Sequence, residues 1–187
     1  MHKKLGSISC LNFGLYHKAH PDGDLPYLQV SQFDATDQLR LSPWESFLPS
    51  TPQTEAAALK PGQLILAAKG FRHFAWTYQA QFGPMVPSSV FFVIEPDPNL
   101  VLPAYLATYL NMPRSKALFQ TLGAGTNIPS IRKGELANLR IPLPPLDVQQ
   151  KIAELTYLHQ QELALIKDLV ARKADLYQSA LNQLIHA

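Results

Sequence analysis

The stretch GAGTNIPSIRKGELANLRIPLPPLDVQQKIAEL, residues 123–155, decides how the chain is read. A glycine turn, a basic segment with strand character, a proline cluster and a helix start follow one another in it without a break. Pro142, Pro144 and Pro145 lack the amide proton that a continuing strand needs, so they divide the sequence into two regions with different patterns. Asp147, followed three residues later by Gln150, has the form of a capping box. Neither Gly nor Pro occurs from there to residue 187. About forty residues at ~1.5 Å each predict a rod of roughly 60 Å.

Along this segment Ile152, Leu155, His159, Leu163, Ile166, Val170, Ala174, Tyr177, Leu181 and Leu184 step by three or four and form one stripe, close to a coiled-coil seam. Leu158, Leu165, Leu169 and Leu176 add a second, partial stripe. Left bare on a monomer, such a surface exceeds the few hundred Å² that soluble proteins usually tolerate. Pairing with another long helix is therefore expected ahead of folding back on the chain's own domain. His159 and Glu162, near the seam, are expected to tune register and not to bind a ligand.

Upstream, short runs have strand character: YLQVSQF at 27–33, QLILAA at 63–68, SSVFFVIE at 88–95 and LRIPL at 139–143. Each is bounded by Pro, Gly or Asp. One helical region begins near Pro103, a suitable first-turn residue, with Leu106, Tyr109 and Leu110 on one face. Strands and helices do not alternate regularly, which favours an α+β class over a doubly wound sheet. The expected organisation is a globular unit over residues 1–146 and one long C-terminal coiled-coil helix over 147–187.

Composition narrows the function. Hydrophobic residues make up 47% of 187 and the formal net charge is +2, as in a globular protein of one ordinary domain and an extended element. No apolar run is long enough for a membrane span, and the basic start MHKKLGSISCLNFG lacks the apolar stretch of a signal peptide; an unprocessed, cytoplasmic chain is expected. The single cysteine, Cys10, lies in an apolar-polar alternation that suggests a small core residue. Positive charge is concentrated in the globular unit. Residues 60–140 carry Lys60, Lys69, Arg72, Arg114, Lys116, Arg132, Lys133 and Arg140 against Glu95, Asp97 and Glu135. That bias permits a polyanionic partner without identifying one.

Catalytic signatures are missing: there is no H-E-x-x-H, no G-x-S-x-G, no phosphate loop and no dinucleotide fingerprint after a strand. Six scattered histidines do not suggest a metal site. The chain reads as a binding protein. Residues 67–83, AAKGFRHFAWTYQAQFG, follow a strand and offer Lys69, Arg72, His73, Tyr78, Gln79 and Gln81. Basic groups can neutralise phosphates or pair with guanine, amides can pair with adenine, and aromatics can stack. The alternative is a strand pair whose Phe71, Phe74 and Trp76 face the core. Residues 123–133 add Asn127, Arg132 and Lys133 beside glycines that let a backbone approach a phosphate or simply make a turn.

The ordered segments KLGSISCLNFG, DGDLPYLQVSQFD, LKPGQLILAAKG, SSVFFVI, LPAYLATYLN and IRKGELANLRIPLPPLDVQQKIAEL together resemble a target recognition domain and its following helix in the specificity subunit of type I restriction-modification enzymes. The I-P-L-P-P-L run with Gln149 and Ile152 is the most specific portion; Val148 departs from an acidic residue frequent there. The resemblance implies a subunit without catalytic activity or cofactor of its own. It would read one half of a bipartite site in double-stranded DNA and dock a methyltransferase subunit that carries S-adenosylmethionine, with or without a restriction subunit. It further implies a half subunit, with one domain and one helix where a full subunit has two of each. A second copy joined through antiparallel helices would complete it and read an interrupted palindrome. The alternative is a coiled-coil adaptor whose globular head binds protein.

Overall fold

The run LILA at 64–67 is apolar at every position because both of its faces are covered. In the computed structural model, which describes residues 1–20, 22–40, 42–122 and 129–186, it is a central strand of the main sheet. In chain order the strands are β1 (His2–Lys4), β2 (Ser9–Phe13), β3 (Leu25–Leu28), β4 (Phe47–Leu48), β5 (Leu64–Ala67), β6 (Ala75–Thr77), β7 (Val86–Pro87), β8 (Phe91–Pro96) and β9 (Arg140–Pro142). The helices are α1 (Pro52–Ala56), α2 (Pro103–Asn111), α3 (Pro113–Leu122), α4 (Lys133–Ala137) and α5 (Leu146–Ile185). This is the α+β class, a globular domain followed by one long helix.

The main sheet has the order β2-β8-β5-β6 and is antiparallel throughout. On one face Leu64, Leu66, Phe92 and Ile94 pack with Tyr105, Leu106 and Leu110 of α2 and with Phe119 of α3. On the other, Ile65, Ala67 and Phe91 meet Phe33, Phe74 and Trp76, whose rings contact edge to face or tilted. Burying each such ring contributes about 1.5–3 kcal/mol, so these two layers fix the sheet. A small sheet β4-β3-β7 closes a third cluster, and β1 pairs with β9. At the free edge of β6, the Asn111 amide accepts from Ala75 N at 2.9 Å and donates to Ala75 O at 2.7 Å, taking the place of a further strand.

Several local expectations are corrected. YLQVSQF is a strand only to Leu28; Val30–Gln32 turn as a 3-10 helix that buries Gln32. Ser88–Val90 form the turn before β8, and Cys10 is exposed, because Ile8 and Leu11 take the inward positions around it. The capping box at Asp147 does not form. Pro145 is the N-cap, Asp147 lies within the first turn beside the positive helix end, and Gln150 bonds Glu154 at 2.9 Å.

The helix is anchored instead by Gln149, which is 0% exposed. Its amide accepts from Leu102 N at 2.9 Å and donates to Leu100 O at 3.0 Å and Pro144 O at 2.9 Å. The first turns of α5 then run along α2, where Thr108 bonds Thr156 at 3.3 Å. Ile152 packs on the domain core there, which removes it from the free stripe. From Tyr157 to Ala180 every residue is exposed, and Leu155, Leu163, Ile166, Val170, Tyr177 and Leu184 are all bare, with Leu181 half-buried. At 40 residues, α5 spans roughly 60 Å, so most of its apolar stripe has no cover within the described residues.

Candidate nucleic-acid interface

Strand register places the C-terminal ends of β2 and β5 and the N-terminal ends of β6 and β8 at one end of the main sheet. Phe13 lies opposite Phe92, Ala67 opposite Phe91, and Leu66 opposite Ala75. The β5–β6 connection is therefore a tip at that end. It is stapled on one flank: Lys69 bridges Ser130, Gly70 N donates to Pro129 O at 2.8 Å, and Ile131 N donates to Ala68 O at 2.9 Å. Gly70 adopts φ +93°, a conformation that suits glycine and lets the chain turn here. The staple carries Arg132 and Lys133, at the start of α4, to the same flank as Lys69. All three are exposed, and among the described residues none of them forms an ion pair.

On the other flank Arg72 is occupied. Its guanidinium donates to Asp37 Oδ1 at 2.9 Å, to Phe33 O at 3.2 Å and to Asp34 O, and lies 5.0 Å from the centre of the Phe74 ring. Lys116 of α3 reaches the other Asp37 oxygen at 2.8 Å. Next to this pair, burial raises the Asp34 carboxyl, but hydrogen bonds from Gln38 and Thr36 and the charge of Lys167 outweigh it and hold the group below its ordinary range. Lys167 of α5 also donates to Thr36 Oγ1 at 3.1 Å, so this turn touches the long helix.

The residues proposed from sequence thus separate. Lys69 lies on the exposed tip, and Arg132 and Lys133 follow its bridge partner Ser130 on the same flank. Arg72 is a clamp whose donors are used within the fold. His73 is buried, with Nδ1 at 2.9 Å from Ala67 O and its ring against Phe119; Tyr78 is buried and donates to Gly83 O at 3.0 Å. Both are withdrawn from the surface because their polar atoms satisfy backbone inside the core. Gln79 and Gln81 are exposed and bonded to each other at 2.9 Å, on the wall of a cleft of about 580 Å³ between the domain and α5. Asn127 lies outside the described residues. Sequence reasoning missed Asp37, which organises the clamp, and Phe71, which is 80% exposed at the tip and not in the core.

No group of three His, Cys, Asp or Glu side chains that could hold a metal occurs among the described residues, and no described helix is long and apolar enough to cross a membrane. The geometry offers a cationic tip and a long bare helix.

Residues 16–170 match the model of the type I restriction modification DNA specificity domain. Among solved structures, the chain is similar to the HsdS subunit from Thermoanaerobacter tengcongensis (20% identity, TM-score 0.59), with 89% of this chain and 39% of that one covered. It is similar to a chain from a study of complex assembly and conformational transition of the type I R-M system (20%, 0.63), with 92% and 41% covered. It is also similar to the type I restriction-modification S subunit from M. genitalium (14%, 0.59), with 86% and 39% covered. The chain spans about two-fifths of the length of these proteins. No curated protein sequence matches it.

Proposed function

We propose that this chain, which belongs to the type I restriction-modification DNA specificity family, reads duplex DNA through the tip of the β5–β6 connection and meets its protein partners through α5. Membership of the family gives it a role in DNA sequence specificity. The observation that supports this surface is the staple of the exposed Lys69 to Ser130, which leads within three residues to the exposed Arg132 and Lys133 on the same flank. Unpaired cations on a rigid support can neutralise phosphates without first breaking internal ion pairs.

In this reading the chain is non-catalytic and cytoplasmic. The bare stripe of α5 pairs with the same helix of a second copy, antiparallel, through Leu155, Leu163, Ile166, Val170, Tyr177, Leu181 and Leu184. The pair docks a methyltransferase subunit, which supplies S-adenosylmethionine, with or without a restriction subunit in that assembly. Each domain reads one half-site. Two-fold symmetry in the protein is then matched by an interrupted palindrome in the DNA.

The test is to co-express the chain with a candidate methyltransferase subunit and map methylation over a whole genome. An interrupted palindrome is the expected result. An asymmetric site would overturn the symmetric pairing, and methylation unaffected by the chain would overturn the DNA-reading role in favour of a protein-binding head.

A further inference from the structure

We propose that Phe71 is an apolar wedge that presses into the base stack of the target duplex, beside the contact made by Lys69, Arg132 and Lys133; this rests on the DNA-reading role proposed above. Phe71 is 80% exposed although Phe74 of the connection, Trp76 of β6 and Tyr78 just after it are buried. The core neither covers nor needs its ring.

The support beneath the ring is rigid on both sides. Before it, Lys69 and Gly70 are bonded to Pro129 and Ser130; after it, Arg72 is fixed on Asp37, Phe33 and Asp34. A wedge needs such a base, because a ring on a loose loop would move aside before it could separate adjacent stacked bases. The chemistry around it selects the partner. Lys69 stands two residues before Phe71, and the stapled neighbouring segment continues into Arg132 and Lys133, while Arg72 just after the ring is already paired with Asp37. A protein surface that received a phenyl ring would be matched by apolar surroundings, whereas here the surroundings are cationic, as a polyanion requires. Apolar side chains inserted at a base step bend the duplex, and pyrimidine-purine steps yield most easily. One such step is therefore expected in the half-site.

The experiment uses the full chain with Phe71→Ala and Phe71→Trp. Wild-type protein first selects ligands from a random-sequence duplex pool, and a selected duplex is then labelled with a dye at each end. Phe71→Ala is expected to weaken binding about tenfold, within the range for loss of one base-aromatic stack, to leave the salt dependence unchanged and to abolish the shortening of the end-to-end distance. Phe71→Trp should retain both affinity and bending. Binding by Phe71→Ala within twofold of wild type, or an unbent duplex with wild type, would overturn the wedge while leaving the DNA-reading role intact. So would a lowered thermal midpoint of Phe71→Ala, which would assign the ring to loop packing. Loss of methyltransferase co-purification with DNA binding unchanged would place Phe71 on a protein contact instead. Recovery of no duplex by wild type would overturn the DNA-reading role itself, and the wedge with it.

Discussion

The Arg72 guanidinium lies 2.7 Å from the Asp37 carboxylate, whose second oxygen takes Lys116 at 2.8 Å. One acid therefore holds two cations of the basic stretch 60–140, one of which, Arg72, the sequence offers to DNA. Asp37 itself sits at φ +62°, a conformation that Asp and Asn tolerate better than most residues.

Asp37→Asn keeps that conformation and removes the charge. Both cations are more than a third exposed, so solvent screens the loss to about 1–2 kcal/mol. A drop of about 2–8 °C in the thermal midpoint is expected. The same variant leaves the charges of Arg72 and Lys116 uncompensated, so its binding to mixed-sequence DNA should strengthen and become more dependent on salt.

Lys69→Ala, Arg132→Ala and Lys133→Ala should each reduce the slope of log K against log salt by about 0.9, and additively if each cation meets one phosphate. Their thermal midpoints should stay at the wild-type value because the side chains are exposed. A titration of affinity over salt concentration reads the slope directly. His73→Ala is expected to do the opposite, lowering stability through a lost buried hydrogen bond.

Gln149→Ala strips partners from one half-buried amide proton donor and two carbonyls at the joint. A loss of about 2–4 kcal/mol is expected in urea unfolding, since each unsatisfied buried group costs about 1–3 kcal/mol and water re-enters to some extent. Asp147→Ala, at a position that makes no capping hydrogen bond, should cost only about 0.3–1 kcal/mol through the helix dipole.

Acid should weaken the domain to some degree through Asp34. Its folded-state pKa is depressed, so its stabilisation is present above the unfolded value of about 3.9 and is lost as pH falls through the lower folded value. Asp34→Asn should flatten the fall in urea midpoint between about pH 5 and pH 3 relative to wild type. An unchanged acid limb would show that other carboxylates govern it.

Ile166→Lys combined with Val170→Lys places two charges on the exposed stripe of α5. Self-association measured by sedimentation equilibrium should be lost, with helix content retained in circular dichroism, because neither side chain packs on the domain.

The elements of the fold that were legible in the sequence are those set by local pattern. LILA at 64–67 reads as a buried strand because it is apolar on both faces, Pro103 marks the first position of α2, and α5 is announced by its uninterrupted stripe. The illegible elements depend on distant partners or on a shift of phase. HKK at 2–4 has no strand pattern and is a strand only because β9 receives it. Cys10 is out of phase with the core because a 3-10 turn at Leu5–Ser7 sets the register of β2. In the site, the three exposed cations could be read from residue type. The withdrawal of Arg72 could not, since Asp37 is separated from it by 35 positions. Phe71 reads as core by composition, and the turn at Gly70 puts it outside.

The pairing of His2–Lys4 with Arg140–Pro142 gives the domain one doorway. The chain enters the domain beside the place where it leaves for α5, and the span between Lys4 and Arg140 is fastened to the helix at Leu100 and Leu102 by Gln149, at Thr108 by Thr156 and at Thr36 by Lys167. A replacement that preserves the two short strands, the socket for Gln149 and the α2 face that meets Ile152 and Thr156 would keep the same stance on the helix while presenting a different tip.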